Sequence, residues 1–508
     1  MTDSPVQALN NCVHARRHED DSEAHKLYRS GQSLLNSPSP DLAPSPSGGR
    51  VPGHGHHSTP SSTKAHTPHK VPGIDAPGET GVMYVSSRAA ANGWQAGSSE
   101  WANFGQGAPE VGHIPSSSPR PSTIDIAALS EQLGADVNEY APTTGLKKLR
   151  EAVAKLYNET YREGKESQYT YENVCIVPGG RAGLTRIASV LSDIYVAYSI
   201  PEYTAYDQLL SAFKRLVPLP TTLREEDSYH LNVNELERMV REMGVTGVML
   251  SNPHNPTGQV IYGDDLKKLV DISRNEGVTM ILDEFYEQYI YDLGPGAQVS
   301  AAEFVQDVNE DNVILINGLT KCWRLPGWRV CWVIGPKELV KALGQSGGFL
   351  DGGASHLLQA ASIPLLDPQT VKSDRHALQT HFREKRDHVL KRLRAMGFEV
   401  KNAPTSTFYC WLDLRGLPAP LDSGLVFFEE LLKEKVIVVP GQFFDLNPSH
   451  RRNLMDSPCD KFIRVSFGPP LEELDRGLDG FERLLARVKK HVEKGEDLQA
   501  VIGRDLKQ

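Results

Sequence analysis

The sequence predicts an α/β fold with a large, mostly parallel sheet and a smaller α+β domain. From about Gly81 onward, apolar runs of strand length alternate with segments of helical periodicity, which is typical of parallel α/β domains. After about Pro364 the pattern changes to one long helical segment and then to shorter strands and helices. These two textures predict a tail at residues 1–80, an arm with part of the small domain at 81–125, a large domain at 126–365 and a small domain at 366–508.

The elements of the large domain follow from local patterns. Residues Thr144–Arg162 carry apolar side chains at helical spacing, with Thr144 as the expected N-cap, and the run Asn173–Val177 feeds a Pro-Gly-Gly turn before a helix from Arg181. Further strands are predicted at Ile194–Ile200, Val245–Ser251, Val278–Leu282 and Val313–Asn317, and helices near Tyr206–Leu216, Asn234–Met243, Asp264–Asn275 and, in the small domain, Thr370–Met396.

Composition excludes several classes of function. The chain has 508 residues and a net charge of −10, which argues against nucleic-acid binding, and no apolar stretch reaches the roughly 20 residues of a membrane span. The early residues lack a signal-peptide pattern, and six scattered cysteines indicate reduced thiols. We therefore expect a cytoplasmic protein with no membrane and no nucleic-acid partner.

Residues 37–77 are rich in Pro, Ser, Gly and His, which predicts a disordered segment. Five histidines in it could bind a metal, but a solvated linker is the favoured interpretation, and we predict no metal site; they are His54, His56, His57, His66 and His69.

Lys321 follows a predicted buried strand and has mostly apolar neighbours, so its amine should lose a proton readily and attack an aldehyde. Arg329, eight residues later, could clamp a phosphate. Earlier in the chain, Asn255 lies on a proline-stiffened turn after one strand, and Asp283 and Tyr286 follow another. Because open α/β sheets bind ligands at the carboxyl ends of their strands, we expect these side chains to line one site.

The ordered motifs PGG, PEY, NPHNPTG, DEFY, TK, PGWR and IRVSFG resemble the class I/II aminotransferases, which are fold-type I enzymes dependent on pyridoxal 5'-phosphate (PLP). The resemblance runs from about Gly81 to about Lys490. It implies that Lys321 carries the cofactor as a Schiff base and moves the substrate's α-proton, and that Asp283 pairs with the pyridinium nitrogen. Tyr286 and Asn255 would bond the ring's 3-oxygen, and Tyr203 would stack on the ring.

The resemblance also assigns the ends of the cofactor and the substrate. Arg464 matches the arginine that binds the substrate α-carboxylate, supported by Asn255 and by the glycines Gly105 and Gly107. The phosphate would be held by one group of residues, some of them through backbone N–H groups: Gly180, Arg181, Ala182, Thr320 and Arg329. Tyr140 resembles the tyrosine that reaches the phosphate of a neighbouring subunit, which implies a homodimer.

Two positions depart from the family's pattern. Family members commonly carry a serine three residues before the lysine as a phosphate ligand, whereas this chain has Gly318. The stretch that holds a side-chain-binding arginine in aspartate-type enzymes contains no arginine here, but it does contain Asp351. That carboxylate either faces a cationic or polar substrate side chain or, as we favour, is an acid in a Gly-rich turn.

The expected function is transfer of an amino group from an L-amino acid to a 2-oxo acid by a ping-pong mechanism. The same residues serve PLP-dependent lyases and oxidases, so these stay as alternatives. A non-catalytic regulator of the same fold and an interaction protein acting through residues 1–80 are less favoured.

Overall fold

The structure of the chain is a computed structural model that describes residues 4–7, 9 and 81–502. Nearly all of the predicted tail of residues 1–80, including its five histidines, therefore lies outside the described residues.

Seven strands form one large sheet in the order β2-β8-β7-β6-β5-β3-β4. Strand β8 runs opposite to the other six strands, so its pairs with β2 and β7 are antiparallel. All other pairs in this sheet are parallel, and the sheet is mostly parallel, as the sequence predicts. The strands are β2 (Val174–Val177), β3 (Ile194–Ile200), β4 (Leu216–Thr222), β5 (Gly247–Ser251), β6 (Thr279–Asp283), β7 (Val313–Gly318) and β8 (Cys331–Ile334).

Helices connect these strands and extend to both ends of the described chain. They are α1 (Val82–Ala91), α2 (Ile126–Leu133), α3 (Lys147–Tyr161), α4 (Gly180–Val190), α5 (Ala205–Ala212), α6 (Val233–Met243), α7 (Gly263–Glu276), α8 (Lys337–Leu350), α9 (His356–Ser362), α10 (Pro368–Met396), α11 (Gly424–Leu432), α12 (Leu471–Glu493) and α13 (Leu498–Val501).

A second, smaller sheet lies toward the C-terminus in the order β11-β12-β9, and all of its strands are antiparallel. Its strands are β9 (Tyr409–Asp413), β11 (Val439–Pro440) and β12 (Phe462–Ser466). A short parallel pair joins β1 (Ala102–Asn103) to β10 (Val436–Ile437), so the early arm contacts the C-terminal part of the chain.

Two local predictions are wrong. The helix predicted at Thr144–Arg162 begins at Lys147 with Leu146 as N-cap; the Thr144 hydroxyl instead accepts a hydrogen bond from Arg150 at 3.1 Å. The helix predicted near Tyr206–Leu216 ends at Ala212, and Leu216 begins β4, a strand that the sequence patterns did not predict.

The central strands β5 and β7 are buried along their whole length, because helices cover both faces of a parallel sheet. Strands β5, β6 and β7 are parallel neighbours, and β5 and β6 lie in register at Ser251 and Asp283. Their carboxyl ends therefore release the chain at one edge of the sheet, where Asn255, Asp283 and Lys321 follow. No helix within the described ranges is long and apolar enough to cross a membrane.

Candidate active site

Lys321 lies three residues beyond β7, and its side chain is only partly exposed. The Nζ atom donates a hydrogen bond to the carbonyl of Gly107. The pKa of Lys321 is lowered to about 8, mainly by burial and also by the nearby guanidinium of Arg464, while the charge of Asp283 opposes the change. An amine with this pKa is unprotonated in about a tenth of the molecules at pH 7, a far larger fraction than for an ordinary lysine, and that form can act as a nucleophile.

Asp283 is the last residue of β6, and it is buried. Its carboxylate accepts a hydrogen bond from the Tyr206 hydroxyl at 3.3 Å and one from the backbone N–H of Phe285 at 3.4 Å. Burial raises the pKa of Asp283 to about 7, with a contribution from the charge of Glu202. A buried carboxylate that has no cationic partner among the described residues is suited to pair with a protonated ring nitrogen.

Tyr286 and Asn255 flank this edge of the sheet, and both are buried. The Tyr286 ring centroid lies 6.0 Å from the Nζ atom of Lys321. The Asn255 backbone N–H donates to the Ser251 hydroxyl at 3.2 Å, which ties the turn to the end of β5. Tyr203 is half-buried, and its hydroxyl accepts from the Nε atom of Arg181 at 3.4 Å.

The turn between β2 and α4 brings backbone close to two side chains. A Cβ atom on Gly179 would overlap the guanidinium of Arg329, and one on Gly180 would lie 2.5 Å from the Phe285 ring. Gly179 also has a φ of 102°, which favours glycine. The first N–H groups of α4, at Gly180, Arg181 and Ala182, thus lie beside an arginine, and such a helix N-terminus binds phosphate well.

Gly318 and Thr320 complete this side of the site. A Cβ atom on Gly318 would lie 2.5 Å from both the Cα and the Sγ atoms of Cys331, the residue opposite it on β8. This close approach accounts for a glycine where the family commonly has a serine. The Thr320 hydroxyl also lies close to Cys331, 3.3 Å from its Sγ atom.

Arg464 on β12 is almost completely buried, with 1% of its surface exposed. Its guanidinium donates to the Asn255 side-chain oxygen at 2.9 Å and to the Gly105 carbonyl at 3.0 Å, while its Nε atom is buried without a hydrogen-bond partner. No carboxylate of the described residues pairs with it. A buried guanidinium is costly without an anion, so this arrangement favours a bound carboxylate.

Tyr140 lies apart from the residues above, and its side chain is 94% exposed. It makes no contribution to the site of its own chain that the described residues show.

Asp351 is engaged in an ion pair outside the group of residues described above. Its side chain is bound by Arg186, whose Nε atom donates to Oδ2 at 2.8 Å. This ion pair supports the interpretation of Asp351 as an acid in a Gly-rich turn.

Three residues of this region have no motif that marks them. Tyr409 and Phe444 lie with their rings 4.2 Å and 5.0 Å from the Arg464 guanidinium carbon, and Cys331 lies behind Thr320. Tyr409 and Phe444 approach the site from distant parts of the chain, so spacing along the sequence does not reveal them; the aromatic cluster around Tyr409 is the one available signal.

The arrangement fits PLP. A partly buried amine of lowered pKa lies near a buried carboxylate, and a glycine turn at a helix N-terminus with a nearby arginine suits a phosphate. The orphaned Nε atom of Arg464 leaves a place for the carboxylate of an amino acid.

Comparison with known proteins gives a consistent result. The sequence matches the family described as aminotransferase class I and II over residues 99–481. It is 27% identical over 365 residues to an aspartate aminotransferase of Pyrococcus abyssi, covering 71% of this chain and 87% of that protein. It is 26% identical over 365 residues, with the same coverage, to aromatic-amino-acid aminotransferase 2 of Thermococcus litoralis.

Solved structures share the fold. The aspartate aminotransferase of Thermus thermophilus with maleate superposes with a TM-score of 0.66 at 21% identity, covering 82% of this chain and all of that one. An aromatic aminotransferase of Pyrococcus horikoshii gives a TM-score of 0.63 at 23% identity, covering 79% of this chain and 99% of that one.

Proposed function

The chain belongs to the aminotransferase class I and II family and is a PLP-dependent aminotransferase, and we propose that it moves the amino group of an L-amino acid to a 2-oxo acid in two half-reactions at Lys321. The observation that carries this proposal is that a half-buried lysine and a buried arginine lie near each other in one site. Lys321 has an amine of lowered pKa, and the nearby Arg464 has no anionic partner among the described residues.

The proposed division of labour starts from the substrate carboxylate. Arg464 binds it through two N–H groups, in a geometry that lysine cannot reproduce. The carbonyls of Gly105 and Gly107 bind Arg464 and Lys321 and so hold the backbone of the arm against the substrate. With the α-carbon fixed in this way, the Lys321 amine accepts the α-proton as general base and then donates a proton as general acid to the cofactor side of the new C–N bond, and not back to the α-carbon.

The other residues hold the cofactor. In this proposal the Asp283 carboxylate pairs with the ring nitrogen, Tyr286 and Asn255 donate hydrogen bonds to the ring's 3-oxygen, and the Tyr203 ring stacks on the cofactor ring. The phosphate is bound by the N–H groups of α4, by Thr320 and by Arg329. Once bound, PLP supplies an acceptor for the electrons released when the α-proton leaves.

The site is completed by a second copy of the chain. Tyr140 is exposed over 94% of its surface, which is unusual for a large aromatic side chain. Phe349, near the end of α8 and two residues before Asp351, is 75% exposed as well. We assign this surface to a homodimer in which Tyr140 reaches the phosphate of the partner.

Transient spectroscopy on the PLP-loaded protein tests the function. Addition of a panel of amino acids should convert the visible band of the bound cofactor to that of its amine form, and a 2-oxo acid should restore it. The Lys321→Ala variant should show neither change. Release of ammonia or uptake of oxygen, without accumulation of the amine form, would contradict transamination and indicate a lyase or an oxidase.

A further inference from the structure

Tyr409, on β9, contacts two parts of the active site at once. Its hydroxyl lies 2.9 Å from the Tyr286 hydroxyl, and its ring centroid lies 4.2 Å from the guanidinium carbon of Arg464. The residue is fully buried, and β9 and β12 are adjacent antiparallel strands with Arg464 paired to Trp411. The small sheet therefore places Tyr409 and Arg464 on adjacent strands, and both side chains are buried.

The hydroxyl and the ring of Tyr409 have different contacts. The Tyr409 hydroxyl is hydrogen-bonded to the Tyr286 hydroxyl. Burial is the main cause that raises the pKa of both phenols, so both stay neutral near pH 7. Either hydroxyl can be the donor in this pair. In the arrangement in which Tyr409 donates to the Tyr286 oxygen, the Tyr286 proton is free to point toward the space beside Lys321. A phenol that accepts a hydrogen bond is also a stronger donor.

The ring acts on Arg464. The guanidinium is held by the Asn255 side chain and the Gly105 carbonyl, but its Nε atom has no hydrogen-bond partner. The faces of the group are restrained by aromatic rings instead, Tyr409 at 4.2 Å and Phe444 at 5.0 Å. A desolvated guanidinium is attracted to such rings, which keeps its N–H groups directed at one place.

We propose that Tyr409 is a positioning residue with two separable roles, in which its hydroxyl orients the hydroxyl of Tyr286 toward the cofactor and its ring holds Arg464 ready for the substrate carboxylate. The proposal rests on the proposed function of Tyr286 and Arg464. It adds a residue that joins the binding of the cofactor to the binding of the carboxylate.

Three variants separate the two roles. Tyr409→Phe removes the hydroxyl and keeps the ring, Phe444→Leu removes the second ring and keeps the hydroxyl pair, and Tyr409→Leu removes both features of Tyr409. The first readout is the pH titration of the visible band of the PLP-loaded protein. The second is the Kd of propionate, a carboxylate without an amine, measured from the change it causes in that band.

For Tyr409→Phe we expect the visible titration to move to higher pH by about half a unit or more, because a weaker donor stabilises the negative ring oxygen less. The propionate Kd should stay within about twofold. For Phe444→Leu we expect the reverse, an unchanged titration and a propionate Kd raised about 3- to 10-fold. Tyr409→Leu should show both changes.

An unchanged titration in Tyr409→Phe overturns the role of the hydroxyl, and an unchanged propionate Kd in Tyr409→Leu overturns the role of the ring. Circular dichroism and thermal melting establish that each variant is folded; if Tyr409→Leu is not, the Phe variant tests the hydroxyl and Phe444→Leu tests the rings. A wild-type protein that forms no visible band with PLP would instead refute the proposed function itself.

Discussion

Asp351 and Arg186 form a two-point ion pair beneath the surface of the large domain. The Nε atom of Arg186 donates to Oδ2 of Asp351 at 2.8 Å, and a terminal nitrogen donates to Oδ1. The Arg186 side chain is completely buried, while Asp351 is 18% exposed. The guanidinium lowers the pKa of Asp351, so the carboxylate stays charged and committed to this pair at neutral pH.

We expect Asp351→Asn to act on stability and not on substrate choice. The amide keeps the shape but leaves the buried Arg186 without its counter-charge, which should cost about 1–3 kcal/mol of unfolding free energy. Denaturant unfolding measures this loss. Asp387→Asn is the control and should change stability little, because the Asp387 side chain is 58% exposed and Arg386 keeps a second partner in Asp292. A changed ratio of kcat/KM between cationic and neutral amino acids would show instead that Asp351 faces the substrate.

Arg464→Lys should impair carboxylate binding while leaving cofactor loading intact. Lysine keeps the charge but loses the paired N–H groups, so we expect kcat/KM to fall by roughly 10²- to 10³-fold. The measurement is steady-state kinetics together with the visible spectrum of the loaded protein. Arg415→Lys, which changes an exposed arginine paired with Asp413 and Glu225, should have no effect. Equal activity of the two variants would exclude Arg464 as the carboxylate ligand.

The capture of PLP by the cofactor-free protein should depend on pH through Lys321. Burial lowers its pKa from 10.5 to about 8, and the unprotonated amine is the reactive form. The rate constant should therefore rise with pH and level off above about 8, as stopped-flow absorbance can measure. A rate that follows the model compound Nα-acetyl-lysine and keeps rising beyond pH 10 would contradict the lowered pKa.

Gly318→Ser should not restore a phosphate ligand, although serine is common at this position in the family. Its Cβ atom would lie 2.5 Å from the Cα atom of Cys331, a backbone contact that no side-chain movement can relieve. We expect a loss of about 1–3 kcal/mol in unfolding free energy and weaker PLP binding. Gly348→Ala, where a Cβ atom would meet nothing within 4 Å, is the matched control. A stable Gly318→Ser variant with tighter PLP binding would refute this prediction.

Mixed dimers test the role of Tyr140. Lys321→Ala and Tyr140→Ala should each be inactive at limiting PLP, but unfolding and refolding them together should recover about a quarter of the wild-type activity, since one site in four then has both residues. Each variant refolded alone is the control. Failure of the mixture to recover activity would show that Tyr140 does not act across the interface.

The sequence predicted the central strands well because they are continuous apolar runs buried on both faces. Strand β3 matches its predicted bounds, Ile194–Ile200, and the other three strands of that prediction differ by one or two residues at one or both ends. Strand β4 escaped prediction because it contains Pro218 and Pro220, which usually exclude a strand. It pairs with β3 alone, so alternate residues turn their backbone nitrogens to the outside of the sheet and the prolines lose no hydrogen bond.

The residues of the candidate site also fall into two groups, those that sequence patterns indicated and those that they did not. Lys321, Asp283 and Asn255 were predicted together because each follows a strand of the parallel sheet, and parallel strands end at a common edge. Tyr409, Phe444 and Cys331 could not be predicted, because their positions depend on how the small sheet and β8 pack on the rest of the molecule. The N-cap at Thr144 failed for a local reason, since a side-chain hydrogen bond to Arg150 uses its hydroxyl.

The position of β8 in the large sheet determines how early during translation that sheet can form in full. Strand β2 pairs with β8 and with no other strand of the described sheet, although about 150 residues separate them in the chain. Until the ribosome has released β8, β2 has no partner, and the glycine turn that follows it is not anchored. The cofactor pocket is therefore a late product of translation, and a chain that terminates before Cys331 leaves the edge of β7 open to association with other chains.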